Sequence, residues 1–450
     1  MKVSVSEPVN HEYARNEIDP NPYYKWVVVG VMWLIACLNY TDRMTIFSVF
    51  PVLQKQMGLS NIGLALIGSS FLWVYAVFSP VGGYLGDRFP RRRVILGSLI
   101  LFSLITFATG LARSGNQLVG LRCLLGISEA VFLPPALAYI ASYHFDQTRS
   151  LANSIALSGL TAGAGFGSWY GGYMTEHYSW RIGFFLLGAA GLIIALLSAL
   201  VLRPDARVVI AVHAPVVAVE PPGRKILAIV RTPTALSLIF LAFALSLTSW
   251  PTHSWLPTYL FENFKLSLTR AGSIVTLFAA LPALFGGIAG GILADRWSRH
   301  DLRGRMAVQV IGFSVMAPTM LAIGFMPSAA AVSGVLLVYS VARGMLEGNS
   351  MPLFCSVLPP HRWSMAYGLY NTAGTLAGSL GIFLVGMQKA TWGIGYTLSA
   401  MSALLFIALV VTAMTMFRYL PTDIQRQRGV DSASRISASS LQEDPHPLSS

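Results

Sequence analysis

The chain has 450 residues, 54% of them hydrophobic and only 11% charged, with a mean hydropathy of +0.61. An average soluble domain carries roughly 25% charged residues, so a water-soluble fold is excluded and a multispanning membrane protein is expected. The formal charge of +12 invites a nucleic-acid partner, but in a membrane protein the placement of the cations decides what they face.

Residues 1–24 are polar, include Pro20 and Pro22, and lack the short apolar core of a signal peptide. They read as a cytoplasmic N-terminal segment. Apolar runs long enough for a bilayer core of about 30 Å then recur near 25–51, 63–86, 94–112, 117–143, 151–174 and 182–202. A stretch with Pro and Arg, 203–233, interrupts them, and six more follow near 234–261, 271–294, 306–326, 330–357, 363–386 and 393–417. The expected architecture is an all-α membrane protein of twelve transmembrane helices. They divide into an N-terminal bundle, 25–202, and a C-terminal bundle, 234–417, joined by a cytoplasmic linker, 203–233. The remainder, 418–450, is rich in Ser and Gln and reads as a cytoplasmic disordered tail.

On this topology Lys55, Arg113, Arg181, Lys265, Arg270 and Lys389 lie outside and Arg43, Arg122 and Arg343 lie within helices. That leaves 22 of the 31 Lys and Arg on the cytoplasmic side. The excess obeys the positive-inside rule, so the basic surface is expected to meet anionic membrane lipids and not nucleic acid. The expected location is the inner or plasma membrane, multi-pass, with both termini cytoplasmic. Cys37, Cys123 and Cys355 all fall in predicted spans, as small apolar residues with no disulfide or metal role. The chain has no Gly-x4-Gly-Lys-Ser/Thr, His-Glu-x-x-His or Gly-x-Ser-x-Gly motif. No nucleotide, metal, cofactor or catalytic residue is therefore expected, and the protein is not expected to be an enzyme.

The first run contains Asn39-Tyr40-Thr41-Asp42-Arg43, which puts an acid and a base inside otherwise apolar sequence. A charge at the centre of a membrane helix costs about 2.5–3.5 kcal/mol on insertion scales. Such a pair therefore points to an ion or substrate site, with a purely structural ion pair as the alternative. The fourth run adds Arg122 and Glu129, whose spacing of seven is close to two helical turns and puts both on one face. Two acids and two bases near one cavity result. Arginine stays charged and offers a planar fork to a carboxylate, which suits Arg43 and Arg122 to an anion. A carboxyl in a low-dielectric cavity responds both to burial and to a neighbouring guanidinium. A change of partner can thus move its proton, the property expected of Asp42 and Glu129.

Two patterns recur along the chain. Gly83-Tyr84-Leu85-Gly86-Asp87-Arg88-Phe89-Pro90-Arg91-Arg92-Arg93 closes the second run and Gly291-Ile292-Leu293-Ala294-Asp295-Arg296-Trp297-Ser298-Arg299 the eighth. Glu129 stands five residues before Pro134, and Glu347 five before Pro352. The offsets, 295 − 87 = 208 and 347 − 129 = 218, indicate an internal duplication.

The 83–93 stretch resembles the signature between the second and third helices of the major facilitator superfamily, with Pro90 where that family usually has Gly. The likeness spans residues 25–417 and implies a two-half transporter fold. It also implies that Asp87, Arg88 and Arg91 form a cytoplasmic charge network that favours the outward-open state. Asp295, Arg296 and Arg343 are the candidate gating residues of the second half. Asn-Tyr-x-Asp-Arg in helix one with Arg-x6-Glu-Ala and Phe-Leu-Pro in helix four looks like the anion:cation symporter branch. The likeness to that branch implies transport of a sugar acid or other carboxylate, commonly with protons; import by alternating access is the working expectation. The Spinster branch, which exports lysolipids or sphingolipids, shares much of the pattern, with Ser128 departing from it; a non-transporting membrane receptor is a further alternative.

Asn39 and Tyr40 join the arginines as candidate substrate contacts, with His253, Glu347, Asn349 and Asn371 from the second half. Arg343 and Glu347, one turn apart, are equally a simple ion pair. Trp250 and Trp255 around His253 are either part of a site or an interfacial belt. Gly159, Gly163, Gly165, Gly167, Gly171 and Gly172 in the fifth run, with Gly374, Gly378 and Gly381 in the eleventh, are expected either where the halves slide on each other or simply where helices pack closely. The protein is expected to act as a monomer.

Overall fold

Every apolar run folds as a helix that starts within three residues of its expected position. The structure, a computed structural model, describes residues 23–144, 148–203 and 221–427. The helices are α1 (Tyr24–Ser48, continued by Phe50–Met57), α2 (Asn61–Arg88), α3 (Arg91–Thr109), α4 (Gly115–Tyr143), α5 (Arg149–His177) and α6 (Trp180–Val201). The second half repeats them as α7 (Pro233–Phe264), α8 (Leu268–Ser298), α9 (Gly304–Ile323), α10 (Ala329–Val357), α11 (Pro360–Gln388) and α12 (Gly393–Gln427). Eleven of them are long and apolar enough to cross a membrane. α5, with 29 residues, has the length but is diluted by Gly and Ser. The expected segment 1–24 lies outside the described residues save for its last two, Tyr23 and Tyr24.

α1 begins beside Lys25, on a face that also carries Arg88, Arg91, Arg299, Arg303 and Arg418. The even-numbered helices start on the opposite face, and five of these starts use the same device. Ser60, Ser114, Ser179, Ser267 and Ser328 each accept a backbone N–H of the first helical turn through the hydroxyl oxygen, satisfying donors that a helix leaves open.

Two spans break where proline removes a backbone donor. Pro134 and Pro135 cannot bond the carbonyls of Ala130 and Val131, so α4 divides into Gly115–Ala130 and Leu133–Tyr143. Pro352 cannot bond the carbonyl of Gly348, and α10 divides into Ala329–Glu347 and Ser350–Val357. Both breaks follow directly on the membrane glutamates, Glu129 and Glu347.

Within the halves, α1 packs on α5 and α7 on α11. Gly159, Gly163, Gly167 and Gly171 lie in turn against the backbone of Trp33, Cys37, Thr41 and Thr45. The hydroxyls of Thr41 and Thr45 donate to the carbonyls of Gly163 and Gly167, at 3.4 and 3.3 Å. This fixes which side of α1 faces the bundle's interior. A Cβ at Gly163 would run into the Cys37 carbonyl. Gly163→Ala is therefore expected to cost about 1–3 kcal/mol, the usual penalty of overpacking, read as a lowered unfolding temperature in detergent. An unchanged transition would show that the two helices separate freely.

The expectation that both glycine stripes serve sliding between halves is corrected. Gly374, Gly378 and Gly381 pack on Ser246, Trp250 and Leu247 of α7, inside the C-terminal half. The halves meet instead through α2 on α11 and α5 on α8; of the glycines in the two expected stripes, Gly165 and Gly172 of α5 contribute there, against Thr276 and Leu268.

These seams lie in the part of the helices remote from the basic face. The Ser69 hydroxyl donates to the Ser379 carbonyl and Ser379 returns the bond to the Ser69 carbonyl, each at 3.0 Å. Lys389 donates to Glu262 at 2.7 Å and across the seam to Gln54 at 3.2 Å. The Thr276 hydroxyl donates to Gly165 at 2.6 Å, and the Thr269 amide to Glu176 at 2.9 Å. Toward the basic face the same helices present exposed Tyr84 and Arg88 on α2 and exposed Tyr367 and Asn371 on α11.

At the other end of the sequence the helix runs ten residues past the expected boundary of 417, to Gln427. The Asp423 carboxylate accepts the Thr234 amide at 3.0 Å, capping α7, and Leu420 and Ile424 are buried. This anchoring makes 418–427 part of the fold; 428–450 lie outside the described residues. The linker 203–233 is described at residue 203 and from 221 on, and there contains a short helix, Pro222–Val230, in place of the expected loop.

Candidate functional site

The side chains of α1 that face away from the α5 stripe meet α2, α3 and α4 inside the N-terminal half. Asn39, Asp42 and Arg43 there are 2%, 2% and 6% exposed, and Arg122 and Glu129 on α4 are 3% and 1% exposed. Charges so enclosed persist only when paired and hydrogen-bonded. One pair is direct: Arg43 Nε donates to Glu129 Oε2 at 2.6 Å. The Arg43 guanidinium also lies 4.6, 4.7 and 4.6 Å from the ring centroids of Tyr40, Phe71 and Tyr75. Three aromatic faces thus hold it by cation–π attraction.

The second acid and base are less complete. Asp42 Oδ2 accepts the Thr106 hydroxyl of α3 at 2.8 Å, while Oδ1 has no hydrogen-bond partner among the described residues. Arg122 lies within electrostatic reach of Asp42, yet its Nε and Nη2 atoms are buried without a partner among the described residues. Glu129 Oε1 and Asn39 Nδ2 are likewise unfilled. A cavity of about 10 Å³, near the least that holds one water, lies between Arg43, Arg122, Phe47, Ile67, Phe71 and Trp250. Both arginines therefore face one void that Trp250 closes from the other half. Asp42 does not line it, turning instead toward Thr106.

The C-terminal half contributes more loosely. Arg343 and Glu347 pair at 3.2 Å, with side-chain exposures of 17% and 53%. Asn349 is buried, donates Nδ2 to the Met345 carbonyl at 3.0 Å and leaves Oδ1 without a partner. His253 is half-buried, with Nδ1 at 2.8 Å from the Ser249 carbonyl. Asn371 is exposed on α11. Trp255 forms no interfacial belt: it is fully buried at the seam, donates Nε1 to the Ile382 carbonyl at 3.0 Å and packs edge-on to Phe50 of the other half.

Phe71, Tyr75 and Thr106 were not expected. Phe71 and Tyr75 are four residues apart on α2, a face that an entirely apolar helix hides until its partner is known. Cys37, Cys123 and Cys355 are free and half-buried.

The Major Facilitator Superfamily model matches residues 32–382, the stretch that contains the buried charges and every other residue of the site described above. The chain belongs to the major facilitator superfamily. It is 27% identical over 368 residues to an MFS-type efflux pump of Mycolicibacterium smegmatis, covering 81% of this chain and 85% of that one. To the probable galactarate/D-glucarate transporter GarP of Escherichia coli K12 it is 24% identical over 438 residues, covering 89% and 96%. The fold matches a bacterial homolog of the human lysosomal transporter Spinster, inward-facing and unoccupied, with TM-score 0.77 at 21% identity over 89% of this chain and 98% of that one. The protein is thus a multi-pass membrane transporter and not an enzyme, and its likeness to a sugar-acid transporter agrees with the anion:cation symporter branch.

The superfamily's signature loop is tied into its own half. Arg91 Nη1 donates to the Ala138 carbonyl of α4 at 3.2 Å, and Arg92 Nη2 to the Ala199 carbonyl of α6 at 2.5 Å. Arg88 is exposed and donates to the Tyr84 hydroxyl at 2.6 Å. The Asp87 side chain lies outside what the structure describes. In the second copy Asp295 pairs with Arg305 of α9 at 2.6 Å, and Arg296 is exposed.

Proposed function

We propose that the protein is a secondary active carrier of small organic anions, coupled to protons, that works by alternating access between the two bundles, 25–202 and 234–417. The observation that carries this reading is the asymmetry of the two buried arginines. Arg43 is occupied by Glu129, while Arg122 opens two unpartnered nitrogens beside the same void.

Arg122 then receives the carboxylate of the substrate first, as a charge-assisted and potentially bidentate contact. Arg43 can join only if Glu129 releases it, and protonation of Glu129 does that. The anion and the proton thus favour each other's binding, which is the reciprocal coupling that symport requires. Asp42, held by Thr106 and acted on by Arg122, serves as a second proton site whose state follows the occupancy of Arg122. Because the groups are coupled, the protons belong to the set and not to one carboxyl. The basic face, by the positive-inside rule, is cytoplasmic. The state described is then one closed toward the outside by the Ser69–Ser379 and Lys389 contacts, with Arg88 exposed and Arg91 bonded within its own half.

The relatives support a carrier of acidic small molecules through the name of the Escherichia coli protein, and export is kept as a second reading of direction by the efflux pump. The test is uptake of radiolabelled sugar acids into vesicles containing purified protein, with and without an inward pH gradient. Accumulation that requires the gradient is the expected result. Movement of a lysolipid without any response to sugar acids would replace this reading by lipid export.

A further inference from the structure

On the C-terminal half, near the Tyr40 ring that packs on Arg43, stands an acid, Glu347. On α10, Gly344 packs against Ala283 of α8, while Ala342 and Leu346 pack on Gly312 of α9. At 3.6 residues per turn, Arg343 and Glu347 therefore point away from both neighbours, toward the interior between the halves. Their pair is lopsided: the guanidinium is 17% exposed, with its Nε buried, and the carboxylate stands in front at 53%. Glu347 lies within electrostatic reach of Tyr40 on α1 and of Tyr367 and Tyr370 on α11. Tyr40 is the ring that supports Arg43, and Tyr367 and Tyr370 stack on each other at 5.8 Å. The titratable groups around the acid are thus Arg343, three tyrosines and, behind Arg343, His253. Next to it, buried Asn349 holds an amide oxygen without a donor.

The two walls differ in what they ask of a ligand. The N-terminal wall offers guanidinium donors to an anion; the C-terminal wall offers acceptor oxygens. Resting on the anion-carrier reading above, we infer that Glu347 sets substrate class: the site takes a monoanion whose far end carries hydroxyl donors, and discriminates against dianions. A polyhydroxy monocarboxylate spanning the cleft sets its carboxylate on Arg122 and donates its distal hydroxyls to Glu347. A diacid of the same length sets its second carboxylate against Glu347, and like charges in a partly desolvated site repel strongly. The hydroxyl-rich diacids named for the Escherichia coli relative are accordingly poor ligands of this chain.

The experiment is calorimetric titration of the purified full-length protein with D-gluconate and D-glucarate, which differ by one terminal carboxylate. Wild type is expected to bind gluconate at least about tenfold more tightly than glucarate. Glu347→Gln is expected to shrink the gluconate-to-glucarate affinity ratio by about that factor, with a thermal unfolding transition like that of wild type showing that the variant is folded. Equal affinities in wild type, or an unchanged ratio in Glu347→Gln, would overturn the role of Glu347 and leave the anion-carrier reading standing. Binding of neither acid to wild type would bring down that reading and this inference with it.

Discussion

Glu129→Gln is expected to bring proton-driven accumulation down to the level of empty vesicles while exchange of labelled for unlabelled substrate continues. The side chain keeps its size and still accepts a hydrogen bond, so Arg43 remains placed among Tyr40, Phe71 and Tyr75. What is lost is the ability to gain and release a proton, and with it the event that frees Arg43. Exchange needs only that the loaded carrier reorient, so it persists; net uphill uptake needs the proton. The measurement is paired uptake and counterflow on the same vesicles. Undiminished accumulation under a pH gradient would remove Glu129 from the coupling step.

The second large effect is expected at Arg122. Truncating one member of a buried charge-assisted contact costs about 2–5 kcal/mol, so Arg122→Ala should weaken anion binding by roughly 30-fold or more. Because its Nε and Nη2 atoms have no partner among the described residues and it makes no direct bond to Asp42, the loss should fall more on the ligand than on the fold. Arg43→Ala offers the contrast: it strands Glu129, 1% exposed, without its cation, and breaking a buried pair costs about 3–5 kcal/mol of stability. The pair of variants separates ligand contact from structural support by titration and thermal unfolding together. Equal ligand affinity in Arg122→Ala and wild type would place the anion elsewhere.

Much of this site could be read from the amino acids. The four charged residues stand out because a bilayer makes each of them expensive, and their spacing of seven between Arg122 and Glu129 reports a shared face. Which acid takes which base could not be read, since that depends on how α4 is set relative to α1 through α2, where Gly126 lies against Phe71 and Tyr75 in three dimensions. The aromatic cage was invisible for a similar reason: Phe71 and Tyr75 are ordinary residues in an apolar helix. Trp255 misled because tryptophan has two homes in membrane proteins, the lipid interface and a close helix seam, and composition does not tell them apart. The glycines were legible as close contacts but not as to partner; α5 uses most of its stripe to hold α1 in its own half. The end of α12 was set too early because Arg418 and the polar residues after it resemble a tail, whereas Asp423 fastens them to α7.

The cluster of Asp42, Arg43, Arg122 and Glu129 sums to no net charge when all four are ionised. If one hydrogen ion and one monoanion enter together, the sum is still zero, and the moving part of the molecule carries no current. Such a carrier draws on the chemical difference in acidity alone and ignores the membrane voltage. A potassium diffusion potential imposed with valinomycin should therefore leave its rate where it was when Glu129 alone carries the proton across, and should change it when Asp42 carries a second.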